Sequence, residues 1–278
     1  SKGYKAGSFP SLAAASFVAL APVTQESVTA YEVGVKAGLF DRLVQFNAAA
    51  FYMNYKDKQI RGRLADPVFG GLETLVNIPK SRIWGAEADV TIRPITGLTL
   101  AGSVTYLNSK IQVSPAAPYN YNVLGVVDDF AGEALPFTPE WSGSVNLDYR
   151  HDMGGGITPF FGVSVNARTK ADAQPGAQRL EYLDGCKVTT GNTPGIAGGI
   201  PVCFTAPGVN NPFAIDGYAT VDGRLGVEGP DGRWKLMVWG KNMFNKYYWS
   251  NVISSADSAA RFAGMPATYG VTLSFKTR

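Results

Sequence analysis

Apolar and polar residues alternate along several segments of this sequence for about ten positions at a time. From Trp141 to Tyr149, every odd position carries an apolar residue or glycine and every even position a polar residue. The same alternation returns from Ile157, from Ala219 and over 269–276. A period of two places successive side chains on opposite faces of a β-strand. Because ordinary strands average about 5–6 residues, whereas a tilted membrane strand needs about 9–11, the pattern predicts strands that cross a bilayer.

Three further segments follow the same pattern less regularly. Residues 31–38 and 98–107 alternate in the same way, but the strand expected at 43–56 is blurred, because Phe51 and Met53 fall on its otherwise polar face. Several strands also continue as a polar extension beyond the apolar stretch. Such an overhang is typical of a barrel that protrudes from the membrane.

The connections between the predicted strands alternate strictly between short and long. Short connections fall at Phe40–Arg42, Pro94–Gly97, Asp152–Gly156 and Gly229–Gly232. Long connections are expected at 9–27, 61–75, 113–138, 173–214 and 250–266. Transmembrane barrels have short periplasmic turns and longer extracellular loops. We therefore predict about ten strands, with long loops at one end and the C-terminus on the periplasmic side.

Composition and aromatic placement favour the same class of protein. Charged residues make up 17% of the chain, below the roughly 25% of soluble domains, and no segment has the ~18 consecutive apolar residues of a transmembrane helix. The net charge of +3 gives no support for a nucleic-acid partner. Girdles of aromatic residues mark the two interfaces of membrane barrels. Eight aromatic residues lie near the ends of the apolar stretches: Tyr31, Tyr52, Trp84, Tyr106, Trp141, Tyr149, Trp234 and Tyr269.

The two cysteines, Cys186 and Cys203, lie in one Gly/Pro-rich segment with 16 residues between them. No second Cys or His pair is at hand, so the spacing fits no zinc pattern. A disulfide that closes one loop is the simplest interpretation. In the chain-entropy model such a disulfide would stabilise the folded state by roughly 3 kcal/mol. It would imply an oxidising compartment. No metal ion and no cofactor is predicted.

Four segments of the sequence resemble the C-terminal part of the barrel of a TonB-dependent outer-membrane receptor. The stretch WKLMVWGKNMFNKYY at Trp234–Tyr248 is similar to that family's penultimate strand. Tyr31–Gln59 resembles a mid-barrel hairpin, Asn77–Asp89 the strand that follows, and Ser1–Phe9 a strand end before an extracellular loop.

The end of the chain resembles the assembly signal that the outer-membrane insertion machinery reads in last strands. The residues that carry this pattern are Thr268, Gly270, Leu273 and Phe275. The tail Lys276-Thr277-Arg278 departs from it, because the family usually stops at the terminal aromatic residue.

The resemblance implies an all-β, antiparallel transmembrane barrel of about 22 strands, filled by an N-terminal plug. Residues 1–278 would then be the C-terminal portion of that barrel, with the plug, the TonB box and the earlier strands absent. The implied function is not enzymatic: it is TonB-energised uptake of a scarce nutrient, such as a ferric siderophore, across the bacterial outer membrane. The implied partners are the TonB–ExbB–ExbD complex, the barrel assembly machinery and outer-membrane lipid.

Ligand contacts are expected from the long loops and from the tops of the strands, because aromatic and Arg side chains offer flat, amphipathic contact surfaces. The candidates are Tyr119, Tyr121, Phe130, Trp249 and Arg261. The alternative for each is a role in anchoring its loop.

Other functions remain open at this stage. A complete small barrel of ten strands could be a passive pore or an omptin-like enzyme with a His–Asp pair. However, His151 and Asp152 fall in a short turn, on the periplasmic side, which favours a solvated turn. The run Gly154-Gly155-Gly156 is also read as a turn rather than a phosphate cradle. A secreted β-sandwich is the third alternative, and strand length and sorted loops argue against it.

Overall fold

A ten-stranded antiparallel sheet dominates the computed structural model, which describes residues 1–10, 20–66, 70–116, 119–122, 127–177, 213–255 and 258–276. The strands follow one another as a meander, each paired with its neighbour along the chain. The predicted fold class and the number of strands are therefore confirmed. In the described residues the sheet is open, with the first and last strands at its two edges.

The structure also contains two small two-stranded sheets, separate from the ten-stranded main sheet. In chain order the elements are β1 (Lys2–Lys5), β2 (Glu26–Leu39), β3 (Val44–Asp66), β4 (Gly70–Ile92), β5 (Leu98–Val113), β6 (Trp141–Arg150), β7 (Thr158–Arg168), β8 (Ala171–Asp172), β9 (Ala214–Ile215), β10 (Tyr218–Glu228), β11 (Trp234–Lys241), β12 (Trp249–Ser255), β13 (Ser258–Ala263) and β14 (Thr268–Phe275). The small sheets are β8–β9 and β12–β13, and both lie in long connections. Within the described part of the chain, no helix is long and apolar enough to span a membrane.

The register of the main sheet collects the apolar side chains on one side, which we call the apolar face. Val145 of β6, for example, lies opposite Gly102 of β5 and Val165 of β7, and Val165 lies opposite Val221 of β10. The next row joins Leu225 to Val238, which faces Val271 on β14. The intervening residues form the polar face. Large apolar side chains on the apolar face are widely exposed in the chain by itself, as expected for a surface covered by lipid.

All eight predicted girdle aromatics lie on the apolar face, near its two ends. Tyr31, Tyr52 and Trp84 occupy directly opposed positions on β2, β3 and β4. The Trp84 ring then contacts the Tyr106 ring at 5.4 Å between centroids, and Tyr106 contacts Trp141 at 4.8 Å. These five side chains form a continuous row, the upper aromatic row, beside the long loops.

Except for the connection between β3 and β4, the connections of the main sheet sort by length as predicted, and the short turns have the backbone that their residues suggest. Phe40, Asp41 and Arg42 all have positive φ, as do the three glycines at 154–156. The Asp152 carboxylate accepts a hydrogen bond from the Gly154 amide at 2.9 Å, which closes that turn. The glycine run is therefore a turn. Phe275 of β14 lies opposite Trp234, beside the turn at 229–233, so the last strand ends at the short-turn end.

Two predicted long loops are wrong in part. Residues 61–75 are mostly paired strand, with Arg61 opposite Leu75 and Asp66 opposite Gly70. Beyond the bilayer neither face has to be uniformly apolar, so alternation disappears although the ladder of hydrogen bonds continues. The span 250–266 likewise contains most of the β12–β13 hairpin. Cys186 and Cys203 lie outside the described residues, so the disulfide stays a prediction.

Aromatic residues on the polar face cover glycines on the neighbouring strands. Phe51 lies directly opposite Gly85, and a Cβ at Gly85 would approach Phe51 Cζ to 3.0 Å and the Tyr106 carbonyl oxygen to 2.1 Å. Phe160 lies over Gly226 in the same way. An aromatic ring placed over a strand glycine restores the side-chain packing that the glycine lacks. This arrangement explains why Phe51 departs from the alternation of β3.

Candidate functional site

The long-loop end of the sheet carries a packed apolar cluster, which we call the mouth cluster. It consists of Ile78 of β4, Ile111 of β5, and Phe130 and Leu135 of the loop between β5 and β6. Phe130 is 2% exposed. The loop therefore folds back against the upper parts of β4 and β5 instead of extending into the medium.

Hydrogen bonds tie that loop to the next long connection. The buried Glu133 carboxylate accepts a hydrogen bond from the Gly176 amide at 2.6 Å, and the Phe137 amide donates to the Asp172 carbonyl at 2.8 Å. Gly176 has a φ of +76° and leaves no room for a side chain, because a Cβ would lie 2.9 Å from Phe130 Cε1. Loops that are far apart in sequence therefore form one connected layer over the mouth.

A second apolar cluster joins the connection after β7 to the β12–β13 hairpin. Val252 of β12 is buried against Phe213 and Ile215, and the half-buried Trp249 packs on the outside of this group. The Arg261 guanidinium lies over the Trp249 ring at 5.2 Å from its centroid. A cation stacked on an indole presents a flat surface that combines positive charge with aromatic area.

The structure brings two of the five predicted ligand contacts together and places the other three at separate points of the loop after β5. Trp249 and Arg261 come together on the hairpin, half-buried. Tyr119 packs against Leu64 at the end of β3, and Phe130 belongs to the mouth cluster. In this conformation Phe130 helps to hold its loop, which is the alternative role.

Tyr121, the remaining predicted contact, is buried and forms isolated β-bridges with Arg63 and Val127. Arg63 is itself buried, and burial lowers the pKa of its guanidinium, while the nearby Glu73 carboxylate acts in the opposite direction. Tyr121 therefore joins the loop after β5 to the upper part of β3.

The polar face beneath the loops carries ion pairs that cross β7. Arg224 of β10 pairs with Asp148 of β6, and Arg150 pairs with Glu228. Gly162 makes the first pair possible, because a Cβ there would lie 2.7 Å from the Asp148 carboxylate and 2.8 Å from Arg224 Nε. Beside this pair lies a pocket of about 360 Å³, whose lining includes Asp222, Arg224, Trp239 and Lys241. Such a surface suits a polar partner within the lumen.

Sequence reasoning missed Asn242 as a structural centre. Its side-chain amide donates to the carbonyls of Lys246 and Met265 at 2.8 and 2.9 Å, and its carboxamide oxygen accepts from the Lys246 amide at 2.8 Å. Its own backbone amide donates to Asp222 on β10. Asn242 lies in the ending of the Trp234–Tyr248 segment that resembles the receptor family. Only the fold shows that its side chain ties the end of β11 to the segment just before β14.

The predicted assembly-signal residues all lie on β14, at one edge of the sheet. Leu273 and Phe275 are on the apolar face and are 57% and 72% exposed. Gly270 lies opposite Trp239, and a Cβ there would come within 2.4 Å of Trp239 Cζ2. The glycine thus makes room for the indole, whose Nε1 donates to Thr272 Oγ1 at 3.0 Å.

His151 is exposed in the short turn, where its Nδ1 lies 3.3 Å from the Tyr149 hydroxyl. The Asp152 carboxylate points instead to the backbone of its own turn. This geometry agrees with a solvated turn histidine at the end opposite the mouth.

Comparison with known proteins gives one family and a set of similar folds. A sequence model of the family described as TonB dependent receptor-like, beta-barrel matches residues 1–243. The structure is similar to that of the ferric yersiniabactin uptake receptor FyuA from Yersinia pestis, with 19% identity over 98% of this chain and a TM-score of 0.67. It is also similar to BauA, the ferric preacinetobactin receptor from Acinetobacter baumannii, with 15% identity over 98% of this chain and a TM-score of 0.58.

A third similar structure is the copper transporter OprC, with 15% identity over 91% of this chain and a TM-score of 0.58. This chain covers 33%, 32% and 32% of those three proteins, so it spans about a third of their length. At such low identity the likeness establishes the fold.

Proposed function

Because the chain belongs to the family of TonB-dependent receptor-like β-barrels, we propose that it is part of a receptor for energised uptake of a scarce, large ligand. The family consists of outer-membrane transport proteins and not enzymes, so the chain resides in the outer membrane of a Gram-negative bacterium. A ferric siderophore is the ligand class we favour, because the similar structures include a ferric yersiniabactin uptake receptor, a ferric preacinetobactin receptor and the siderophore receptor PiuA from Acinetobacter baumannii.

The family match over 1–243 is the observation that carries this proposal. We assign residues 1–278 to the C-terminal portion of the barrel, with the plug contributed by an earlier part of the protein. In this proposal TonB, with ExbB and ExbD, moves the plug and releases ligand inward, while the wall and loops described above hold the ligand outside. The polar face, with its ion pairs and its pocket beside Arg224, supplies the surface against which the plug packs.

Uptake and binding by the full-length receptor should separate when TonB is removed. We expect cells that express the receptor to bind a labelled ferric siderophore with or without TonB, because binding needs only the barrel and its loops. Accumulation inside the cell should fall to the background of receptor-free cells when TonB is absent. Testing a panel of siderophore classes together with copper identifies the ligand. Accumulation that persists without TonB would exclude energised uptake and favour a passive pore.

The Trp249–Arg261 pair is the contact we expect to matter most for the ligand. Replacing Trp249 by Ala, or Arg261 by Ala, should weaken binding of the identified ligand about tenfold each, because each change removes part of one desolvated, stacked surface. Equilibrium binding to the full-length receptor measures the effect.

Two control variants distinguish this role from a general loss of structure. Trp84→Ala removes a tryptophan from the apolar face, and Arg233→Ala removes an arginine at the short-turn end. Both should leave ligand affinity within about twofold, because neither residue lies in the long loops. Equal losses in the test and control variants would remove Trp249 and Arg261 from the set of ligand contacts.

A further inference from the structure

A β-bulge in β12 brings the side chains of Trp249 and Arg261 together. The pairing of β12 with β13 shifts between Trp249 and Asn251, so Ser250 is the extra residue of the bulge. The Ser250 hydroxyl donates to the Phe262 carbonyl at 3.0 Å. A bulge sets two residues against one and re-aims the side chains beside it. Trp249 and Arg261 therefore lie on one face of the hairpin, where the guanidinium can stack on the indole.

Asn242 holds the base of this hairpin against the wall. It follows β11 and is 4% exposed. Its carboxamide bonds to the backbone of Lys246, on the segment that enters the hairpin, and of Met265, on the segment that leaves it. Its backbone amide donates to Asp222 of β10. Displacing the hairpin would leave these buried polar groups without partners, which is costly.

Tyr248 holds the same base from a second direction. Its ring stacks on the Tyr218 ring at the start of β10, with 4.0 Å between the ring centroids. The other side of the hairpin closes on it through Gly264, whose amide donates to the Tyr248 carbonyl at 2.8 Å. A Cβ at Gly264 would come within 2.0 Å of Tyr248 Cζ, so the glycine leaves room for the ring.

The hairpin is also held further along β12. Val252 is fully buried and packs with Phe213 and Ile215 of the connection after β7. Trp249 therefore lies between two held points of one short strand. The position of the Trp249–Arg261 pair is set by contacts outside the pair itself.

We propose that Asn242 and Tyr248 are positioning residues, which hold the hairpin in its binding conformation before any ligand arrives. The surface formed by Trp249 and Arg261 is then preformed on this side of the mouth. A preformed surface binds more tightly, because its groups are already ordered in the free protein. This inference rests on the proposed function, in which the Trp249–Arg261 pair contacts the transported ligand.

Positioning residues and contact residues affect different rate constants. If the hairpin is detached in most molecules, only the attached fraction can bind, and the observed association rate falls in proportion to that fraction. Removal of a side chain that contacts the ligand acts mainly on the dissociation rate. The two roles can therefore be separated by kinetics.

Hydrogen exchange of the full-length receptor without ligand measures how firmly the hairpin is held. In N242A and Y248A the amides of residues 249–263 should exchange about tenfold faster than in wild type, because the hairpin detaches more often. Two controls should exchange as wild type does. Y248F keeps the stacked ring, and N146A removes an asparagine from the polar face of β6. Equal exchange in N242A and wild type would overturn the proposal.

Stopped-flow kinetics test the consequence for binding. The probe is whichever of a ferric catecholate, a ferric hydroxamate and a ferric carboxylate siderophore binds wild type most tightly. We expect N242A and Y248A to lower the association rate constant about tenfold and to change the dissociation rate constant less than about twofold. W249A should instead raise the dissociation rate constant. A partly unfolded preparation would reduce the number of binding sites and leave the rate per site unchanged.

The outcomes separate this inference from the function on which it rests. An unchanged association rate constant in N242A, or an effect on dissociation alone, would overturn the positioning role. If none of the three siderophores binds wild type, the proposed function fails, and hydrogen exchange still decides whether Asn242 and Tyr248 hold the hairpin.

Discussion

A positive charge in the middle of the apolar face is expected to destabilise the barrel severely. Val145 lies four residues from Trp141 and four from Tyr149, so it is midway between the two aromatic ends of β6, and it is 60% exposed to the surroundings of the wall. We expect V145K to lower the free energy of unfolding by about 2–4 kcal/mol, the cost of a lysine at the bilayer midplane. Urea titration of the full-length receptor in lipid vesicles measures this change.

The adjacent residue provides a matched control for that substitution. Asn146 lies on the polar face, opposite Ser164 of β7, so a lysine there keeps access to water in the lumen. N146K should change the free energy of unfolding by less than about 0.5 kcal/mol. If V145K and N146K proved equally harmless, the assignment of the apolar face to lipid would be wrong.

Loss of the two outward apolar side chains of β14 is expected to reduce assembly strongly. In L273S/F275S, the residues opposite Leu236 and Trp234 lose their apolar groups, each worth about 1.5–3 kcal/mol when buried. We expect the amount of folded full-length receptor in the outer membrane to fall at least tenfold. Quantitative immunoblotting of isolated outer membranes measures this amount.

Refolding in vitro separates recognition by the assembly machinery from simple loss of stability. If the machinery reads Leu273 and Phe275, the variant should refold into thin lipid vesicles far better than it assembles in cells. The control S274A/K276A changes neighbouring residues without altering the apolar face, and should assemble normally. Unchanged membrane levels in L273S/F275S would refute the predicted signal.

The ten-strand meander could be predicted from the sequence because a membrane barrel imposes one simple rule over its whole height. Because one side of the wall faces lipid and the other a polar lumen, apolar and polar residues must alternate along each strand, as they do over 141–149. The sequence pattern already assigns each residue to one face of the sheet. The strand register then shows only which residues lie directly opposite each other, such as Tyr31 and Tyr52. The short turns were equally accessible, since Gly154–Gly156 all adopt the positive φ that glycine permits most readily.

Above the membrane this rule ends, and there the sequence predictions were weakest. The upper parts of β3 and β4 continue as a ladder through 61–75, but one face meets the loop after β5 and alternation no longer reports the strand. Which loop residues are exposed was likewise inaccessible. Phe130 and Tyr121 are of the aromatic type that often contacts ligands, yet both are buried against β3–β5. Their burial depends on the path that the loop takes.

The sequence by itself determined the membrane-spanning wall: its strands, its apolar face, its aromatic ends and the family to which it belongs, because each depends on the order of residues along single strands. Only the tertiary structure decided what lies side by side. The Trp249–Arg261 pair, the role of Asn242, and the Arg224–Asp148 ion pair across β7 all join residues from different elements. Their chemistry arises from cross-strand register and loop packing, which no local pattern of residues encodes.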